Sequence, residues 1–332
     1  MRPPDFWNHR DGRRSAPTLR LLLTPLSWLQ RAGVRRRFKH ADPFDPNIPV
    51  ICVGNATLGG TGKTPVVLYL VESLRRLGIE AVALSRGHGG TERGPLEVTR
   101  NHTATDVGDE PLLLASIAPT FISRDRSEGA KLALIHGAQA IVMDDGHQNP
   151  DLAKTLSLLV VDGETGFGNN TVFPAGPLRE PVVDAVARAD AVILMLPGPD
   201  HDPDPELIAQ LGKLPVIPAW LTARRAPPSG PLHAFAGIGR PDKFFNSVRA
   251  AGGDIVEQTA FADHHPYRPE ELQMLAFMAE EAGATLITTD KDYVRLPTGF
   301  RQGVARLPVM VEFGDELTLR RLLHPVVSRY TR

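Results

Sequence analysis

The run Gly59-Gly60-Thr61-Gly62-Lys63-Thr64 follows an apolar stretch at 49–53 and precedes another at 65–71. That order predicts strand, phosphate loop and helix. Glycines let successive backbone N–H groups converge on a polyphosphate, Lys63 reaches the β- and γ-phosphates, and the Thr64 hydroxyl suits Mg²⁺. The helix N-terminus adds a favourable dipole. Pro65 fits the first helical turn, where an amide N–H has no intrahelical partner to lose. The usual spacing, G-x-x-x-x-G-K-[ST], asks for glycine where this chain has Thr57. A glycine-rich turn that merely contains Lys and Thr is the competing reading, and the flanking strand and helix weigh against it. Nucleotide binding therefore follows from the sequence, whereas the loop leaves the reaction open.

A phosphate loop of this kind needs an open α/β sheet around it, and the rest of the chain supplies one. Apolar runs at 81–85, 140–143, 156–162, 190–196 and 215–221 alternate with helical segments, as in a mostly parallel sheet flanked by helices. The proline-rich stretch 224–231 reads as a linker. Beyond it, strands at 232–237, 254–261, 284–289 and 308–313 alternate with helices. We expect a P-loop NTPase-like domain over 41–223 and a smaller α/β domain over 232–332. A length of 332 residues, 42% hydrophobic and 23% charged, accommodates two such units. The single cysteine, Cys52, rules out an intramolecular disulfide and falls in the strand before the loop.

Residues 1–40 have a different character. They hold ten Arg or Lys, among them Arg2, Arg31, Arg35, Arg36, Arg37 and Lys39, against Asp5 and Asp11; the segment carries +8 and the remainder −9. Leu19, Leu22, Leu23, Leu26 and Leu29 recur at helical spacing, Pro25 would kink or restart that helix, and Trp7 and Trp28 would add interfacial anchors. The pattern predicts an amphipathic helix lying on a membrane surface, drawn to anionic lipid by its basic residues. A helix covering its own domain's core and an organelle transit peptide are the alternatives. No apolar run is long enough to span a bilayer. The net charge of −1 gives no sign of nucleic acid as a partner, and nothing in the sequence calls for an obligate protein partner.

Asp144 and Asp145 close the apolar strand 140–143, which is where a phosphate loop needs oxygen ligands for Mg²⁺. The sequence does not decide between the two. Asp109 starts a helix, so a cap is the first reading on sequence alone, and a group that accepts a hydroxyl proton is the second. His264 and His265 follow a strand of the second domain; being adjacent, they point apart, so at most one enters a shared site. Arg86, Arg126 and Arg179 occupy expected sheet-end loops and together hint at a second, anionic substrate.

These residues also carry a resemblance. The segment 53–65, with Thr57 in place of the first glycine, resembles the phosphate loop of the tetraacyldisaccharide 4'-kinase family. So do, in order, Pro25-Leu26-Ser27-Trp28-Leu29, Ser85-Arg86-Gly87, Gly108-Asp109-Glu110-Pro111, Asp144-Asp145-Gly146, the run 174–181, Phe235-Ala236-Gly237-Ile238-Gly239 and Phe261-Ala262-Asp263-His264. The resemblance implies ATP- and Mg²⁺-dependent phosphorylation of the 4'-hydroxyl of an acylated glucosamine disaccharide 1-phosphate, at the cytoplasmic face of a bacterial inner membrane. It implies that Thr57, Gly59, Gly60, Thr61, Gly62, Lys63 and Thr64 form the ATP site, with Thr64, Asp144 and Asp145 in the magnesium region. Asp109 and His264 would activate the acceptor, brought together by domain closure, while Arg86, His88, Arg126 and Arg179 would face the lipid. His88, His147, Asn149 and Asp290 depart from the family pattern. From the residues alone, a soluble kinase of a small sugar or metabolite and a nucleotide-switch ATPase are the competing functions.

Overall fold

A computed structural model describes residues 4–330; the remaining terminal residues, Arg2 of the basic segment among them, lie outside the described part. In chain order the strands are β1 (Val50–Gly54), β2 (Ala81–Ser85), β3 (Leu96–Glu97), β4 (Thr120–Ile122), β5 (Ala140–Asp144), β6 (Leu156–Asp162), β7 (Ala191–Met195), β8 (Val216–Ala223), β9 (Pro231–Ala236), β10 (Asp254–Ala260), β11 (Thr285–Thr289), β12 (Val304–Leu307) and β13 (Val309–Phe313). Two sheets result, one of nine strands in the order β13-β8-β7-β6-β1-β5-β2-β4-β3 and one of four in the order β10-β9-β11-β12. Only the outermost strands of the large sheet, β3 and β13, pair antiparallel. The central strands are buried on both faces, which is why they read as unbroken apolar runs rather than alternating ones.

Helix α1 (Pro17–Lys39) precedes the sheet, and helix α2 (Lys63–Arg76) leaves the phosphate loop after β1. Val66, Leu70 and Leu74 of α2 pack on Val53 and Val142 of the sheet. Pairing of Val53 with Asp144 sets the end of the loop's own strand beside the acidic tip of β5. That juxtaposition needs nothing beyond parallel register.

The expected boundary of the smaller domain requires correction. The expected domain runs to 332, but β13 pairs with β8 in the large sheet, Val309 opposite Ala223. Val311, Phe313, Leu319, Leu323 and Val326 then join the same core as α2. Pro308 separates β12 from β13 and, lacking an N–H, ends one ladder where the other begins. The four-stranded unit is thus bounded by β9 and β12, and its chain leaves and returns side by side.

Helix α1 runs unbroken through Pro25. Its leucines do not cover a core: Leu21 and Leu22 are 75% exposed, Leu29 is 69% exposed and Trp28 66%. The buried side is the polar one, where the Ser27 hydroxyl donates to the Val172 carbonyl at 2.6 Å. Arg35 bonds Asp184, and the ring of Phe38 lies under the Arg188 guanidinium. Trp7 is not an interfacial anchor. It is buried, and its indole N–H donates to the Pro174 carbonyl at 3.2 Å, which pins the N-terminal segment to the loop after β6.

Candidate active site

The phosphate loop leaves β1 and turns at two glycines that need left-handed backbone, Gly59 (φ 110°) and Gly62 (φ 86°). Thr57 needs no such freedom. It bridges antiparallel to Leu178, with the Leu58 N–H donating to Pro177 at 2.7 Å and the Arg179 N–H to Ala56 at 2.8 Å. In this extended segment a β-branched residue fits as well as glycine, which explains the departure from the usual spacing. Thr61 is buried, and its hydroxyl has no partner within the protein. Lys63 and Thr64 open α2, half-buried at the loop's end.

Around Lys63 the structure gathers the acids and two of the arginines. Its ammonium lies 3.5 Å from Asp145, which also accepts from the Arg179 guanidinium at 2.8 and 2.9 Å. Burial would raise the Asp145 carboxyl, but Lys63 and Arg179 hold it well below the usual carboxylate range. Asp144 differs sharply. Both its oxygens are buried without a hydrogen-bond partner, and burial, reinforced by Glu110, pushes it up to about 7 against the pull of Lys63. Arg126 stands at the first turn of the helix Arg126–Ile135 rather than in an open loop. It is buried, donates to the Ser123 carbonyl at 2.5 Å and is lowered to about 10 by that burial. Arg86 is exposed just past β2.

A second group forms where the two sheets meet. Asp109 begins the helix Asp109–Ala115 and is buried, while His264 follows β10 in the left-handed region (φ 56°) with its side chain 40% exposed. The His264 Nδ1 lies 3.1 Å from the Asp109 carboxylate, and the His88 ring stands 6.4 Å from the His264 ring. Donation of Nδ1–H to Asp109 leaves the lone pair on Nε2 at the exposed end of the ring. His265 points away and meets Glu271 at 2.8 Å.

Asp109 has further partners that sequence reasoning missed. Arg295 donates to it through Nε at 2.9 Å and, closer still, through Nη2; Lys291 lies 3.8 Å away and also bonds Glu110 at 3.1 Å. Burial would raise the Asp109 carboxyl, yet the His264 hydrogen bond and the Lys291 and Arg295 charges hold it well below the usual range. It is therefore an anion throughout the neutral range. In the segment Thr289-Asp290-Lys291-Asp292 only Asp290, which departs from the family pattern, is distinctive in the sequence. Lys291, Asp292 and Arg295 have ordinary helix-start and surface signatures, so only their fold placement exposes them.

The chain is similar to known proteins over nearly its whole length. A family model described as tetraacyldisaccharide-1-P 4'-kinase matches residues 19–328. The chain is 48% identical over 333 residues to the tetraacyldisaccharide 4'-kinase of Hyphomonas neptunium, covering 99% of each. It is 50% identical over 322 residues to the protein of the same name from Phenylobacterium zucineum, covering 95% of this chain and 96% of that one. A crystal structure of LpxK from Aquifex aeolicus in complex with ATP superposes with a TM-score of 0.75 at 26% identity, over 93% of this chain and 99% of the other.

Proposed function

The chain belongs to the tetraacyldisaccharide-1-P 4'-kinase family, and from that premise we propose how its residues divide the work. The activity is ATP-dependent phosphorylation of the 4'-hydroxyl of a tetraacyldisaccharide 1-phosphate in lipid A biosynthesis. The loop 57–64 binds the ATP phosphates, with Lys63 neutralising charge on the transferring group. His264 accepts the acceptor's hydroxyl proton at Nε2 while its Nδ1–H stays with Asp109. The 4'-oxygen then bonds the γ-phosphorus as the bond to the β–γ bridging oxygen breaks, and ADP leaves. Asp109 fixes the imidazole tautomer and stabilises the imidazolium that forms. The observation that carries this reading is the 3.1 Å contact between a buried carboxylate and a half-exposed imidazole, next to Glu110, whose charge reaches Asp144.

The unpartnered Asp144 oxygens fit a divalent cation, since a buried carboxylate without a donor calls for a positive charge. Asp144 is the better direct ligand, because Asp145 is already engaged by Lys63 and Arg179; Thr64 completes the set. Bound Mg²⁺ would neutralise phosphate charge during transfer. Arg86, His88, Arg126 and Arg179 form the anion-recognising side toward the disaccharide phosphate, with Arg126 and Arg179 acting through the acid pair they face.

The exposed leucine face of α1, flanked by Arg35, Arg36, Arg37 and Lys39, supports peripheral binding to the cytoplasmic face of the inner membrane, where an acylated substrate resides. Among the described residues no helix is long and apolar enough to cross a membrane. The deciding experiment incubates the protein with ATP, Mg²⁺ and detergent-dispersed tetraacyldisaccharide 1-phosphate and reads product mass. A gain of one phosphate, lost in His264→Ala, is expected; ATP hydrolysis with no phosphorylated lipid would overturn the assignment.

A further inference from the structure

We propose that Arg295 is a positioning residue for phosphoryl transfer: its guanidinium holds the Asp109 carboxylate of the large unit and the Gly237 carbonyl of the small one, and so sets His264 against Asp109. This rests on the dyad reading above. Arg295 is buried, its side chain 6% exposed. Nε and Nη2 donate to Asp109, while Nη1 donates to the Gly237 carbonyl at 2.8 Å and to Asp292 at 2.9 Å. The same Gly237 carbonyl accepts the His264 amide N–H at 3.0 Å. One planar group thus ties the carboxylate to the backbone unit that carries the imidazole.

The far side of the clamp is itself rigid. Asp292 is fully buried and accepts from the Gly237 N–H at 3.0 Å and from the Tyr267 hydroxyl at 2.8 Å, while the Thr289 hydroxyl donates to it at 2.7 Å. Buried carboxylates are held by several donors because an uncompensated one is costly. A lysine here would keep the charge but lose the fork that reaches two acids and a carbonyl at once.

Charge gives the clamp a second effect. The groups facing His264 are Asp109, Asp263 at 3.9 Å from Nε2, His88, and the Lys291 and Arg295 cations with Glu110 and Asp292 behind them. With Arg295 present, the negative charge of Asp109 and Asp292 beside His264 is largely compensated. Removing it leaves Asp109 and Asp292 short of a cation, which stabilises imidazolium and moves loss of the base to higher pH.

The test is the pH dependence of kcat from about pH 5 to 9 for the wild type, Arg295→Gln and Arg295→Lys, with ATP KM and thermal midpoint measured alongside. Arg295→Gln is expected to lose at least about tenfold in kcat, to keep its ATP KM within about twofold, and to show its acid limb displaced upward by roughly half to one pH unit. Arg295→Lys is expected to lose kcat similarly with the limb in place. An acid limb at the wild-type position in Arg295→Gln overturns the proposal, because a merely structural loss scales all pH values alike. Should Arg295→Gln not fold, Arg295→Lys decides: wild-type turnover overturns the proposal, and reduced kcat with unchanged ATP KM and midpoint supports it. His264→Ala separates the two claims. If it keeps wild-type turnover the dyad reading falls and takes the proposal with it, whereas an inactive His264→Ala beside an unmoved Arg295→Gln limb removes the proposal alone.

Discussion

Asp109 starts a helix packed on the nine-stranded sheet and His264 follows β10 of the four-stranded one, yet they meet with Nδ1 3.1 Å from the carboxylate. A base whose tautomer is fixed by a partner is lost whether either member is removed. His264→Ala and Asp109→Ala should each lower kcat by about 10²- to 10⁴-fold, and the double variant should be little worse than either single one. Nucleotide affinity, measured by equilibrium binding of a fluorescent ATP analogue, should stay within a few-fold of wild type. Fully additive losses in kcat would argue against a dyad.

Asp144 lies at the end of β5 with neither oxygen satisfied, and burial raises it to about 7. A carboxyl raised on folding contributes stability that is present below its unfolded range, near pH 4, and is lost as pH climbs through 7. Asp144→Asn should therefore stabilise the metal-free protein at pH 8 by on the order of 2 kcal/mol and change it little at pH 4. Thermal unfolding at both pH values, in chelator, checks the sign. The same variant should need far more Mg²⁺ for half-maximal turnover.

His147 gives the opposite pH signature. It is fully buried, hydrogen bonds through Nε2 to the Ala185 carbonyl at 2.9 Å, and is lowered to about 3 by burial. An imidazole depressed on folding contributes stability present above its unfolded value near 6.5 and lost as pH falls toward 3. His147→Phe should flatten acid destabilisation between pH 6 and 4 by up to about 1.4 kcal/mol per pH unit, read from denaturant midpoints. A slope unchanged by the substitution would show that other groups govern the acid limb.

The outward leucines of α1 touch little of the protein, so charging them should spare the fold. Leu22→Glu combined with Leu29→Glu should abolish sedimentation with anionic vesicles while the thermal midpoint and ATP binding stay near wild type. Retained vesicle binding would transfer that role to another surface.

The large sheet was legible because parallel strands buried on both faces leave contiguous apolar runs, and because the phosphate loop, Lys63 and the β5 acids lie in short segments with their own chemical signature. Three features escaped. A single strand is expected at 308–313, yet a strand also precedes Pro308 at 304–307, and the two join different sheets. Trp7 beside basic residues looks like a surface aromatic, yet the carbonyl it bonds belongs to Pro174, far along the chain. The cations around Asp109 were hidden for the same reason. Lys291 and Arg295 acquire meaning from what the fold sets opposite them, and no local pattern encodes that.

The side-by-side crossing of the chain at Ala223 and Val309, reinforced by the Arg224 N–H donating to the Pro308 carbonyl at 2.8 Å, has a mechanical consequence. A unit hung on one strand can twist and wander, and the imidazole it carries would sample a large volume. Hung on two adjacent strands, it keeps mainly a swing about the line through its attachments, like a door on paired hinges. The placement of the imidazole relative to the carboxylate is thereby reduced toward a single angular coordinate, which favours the 3.1 Å contact between them.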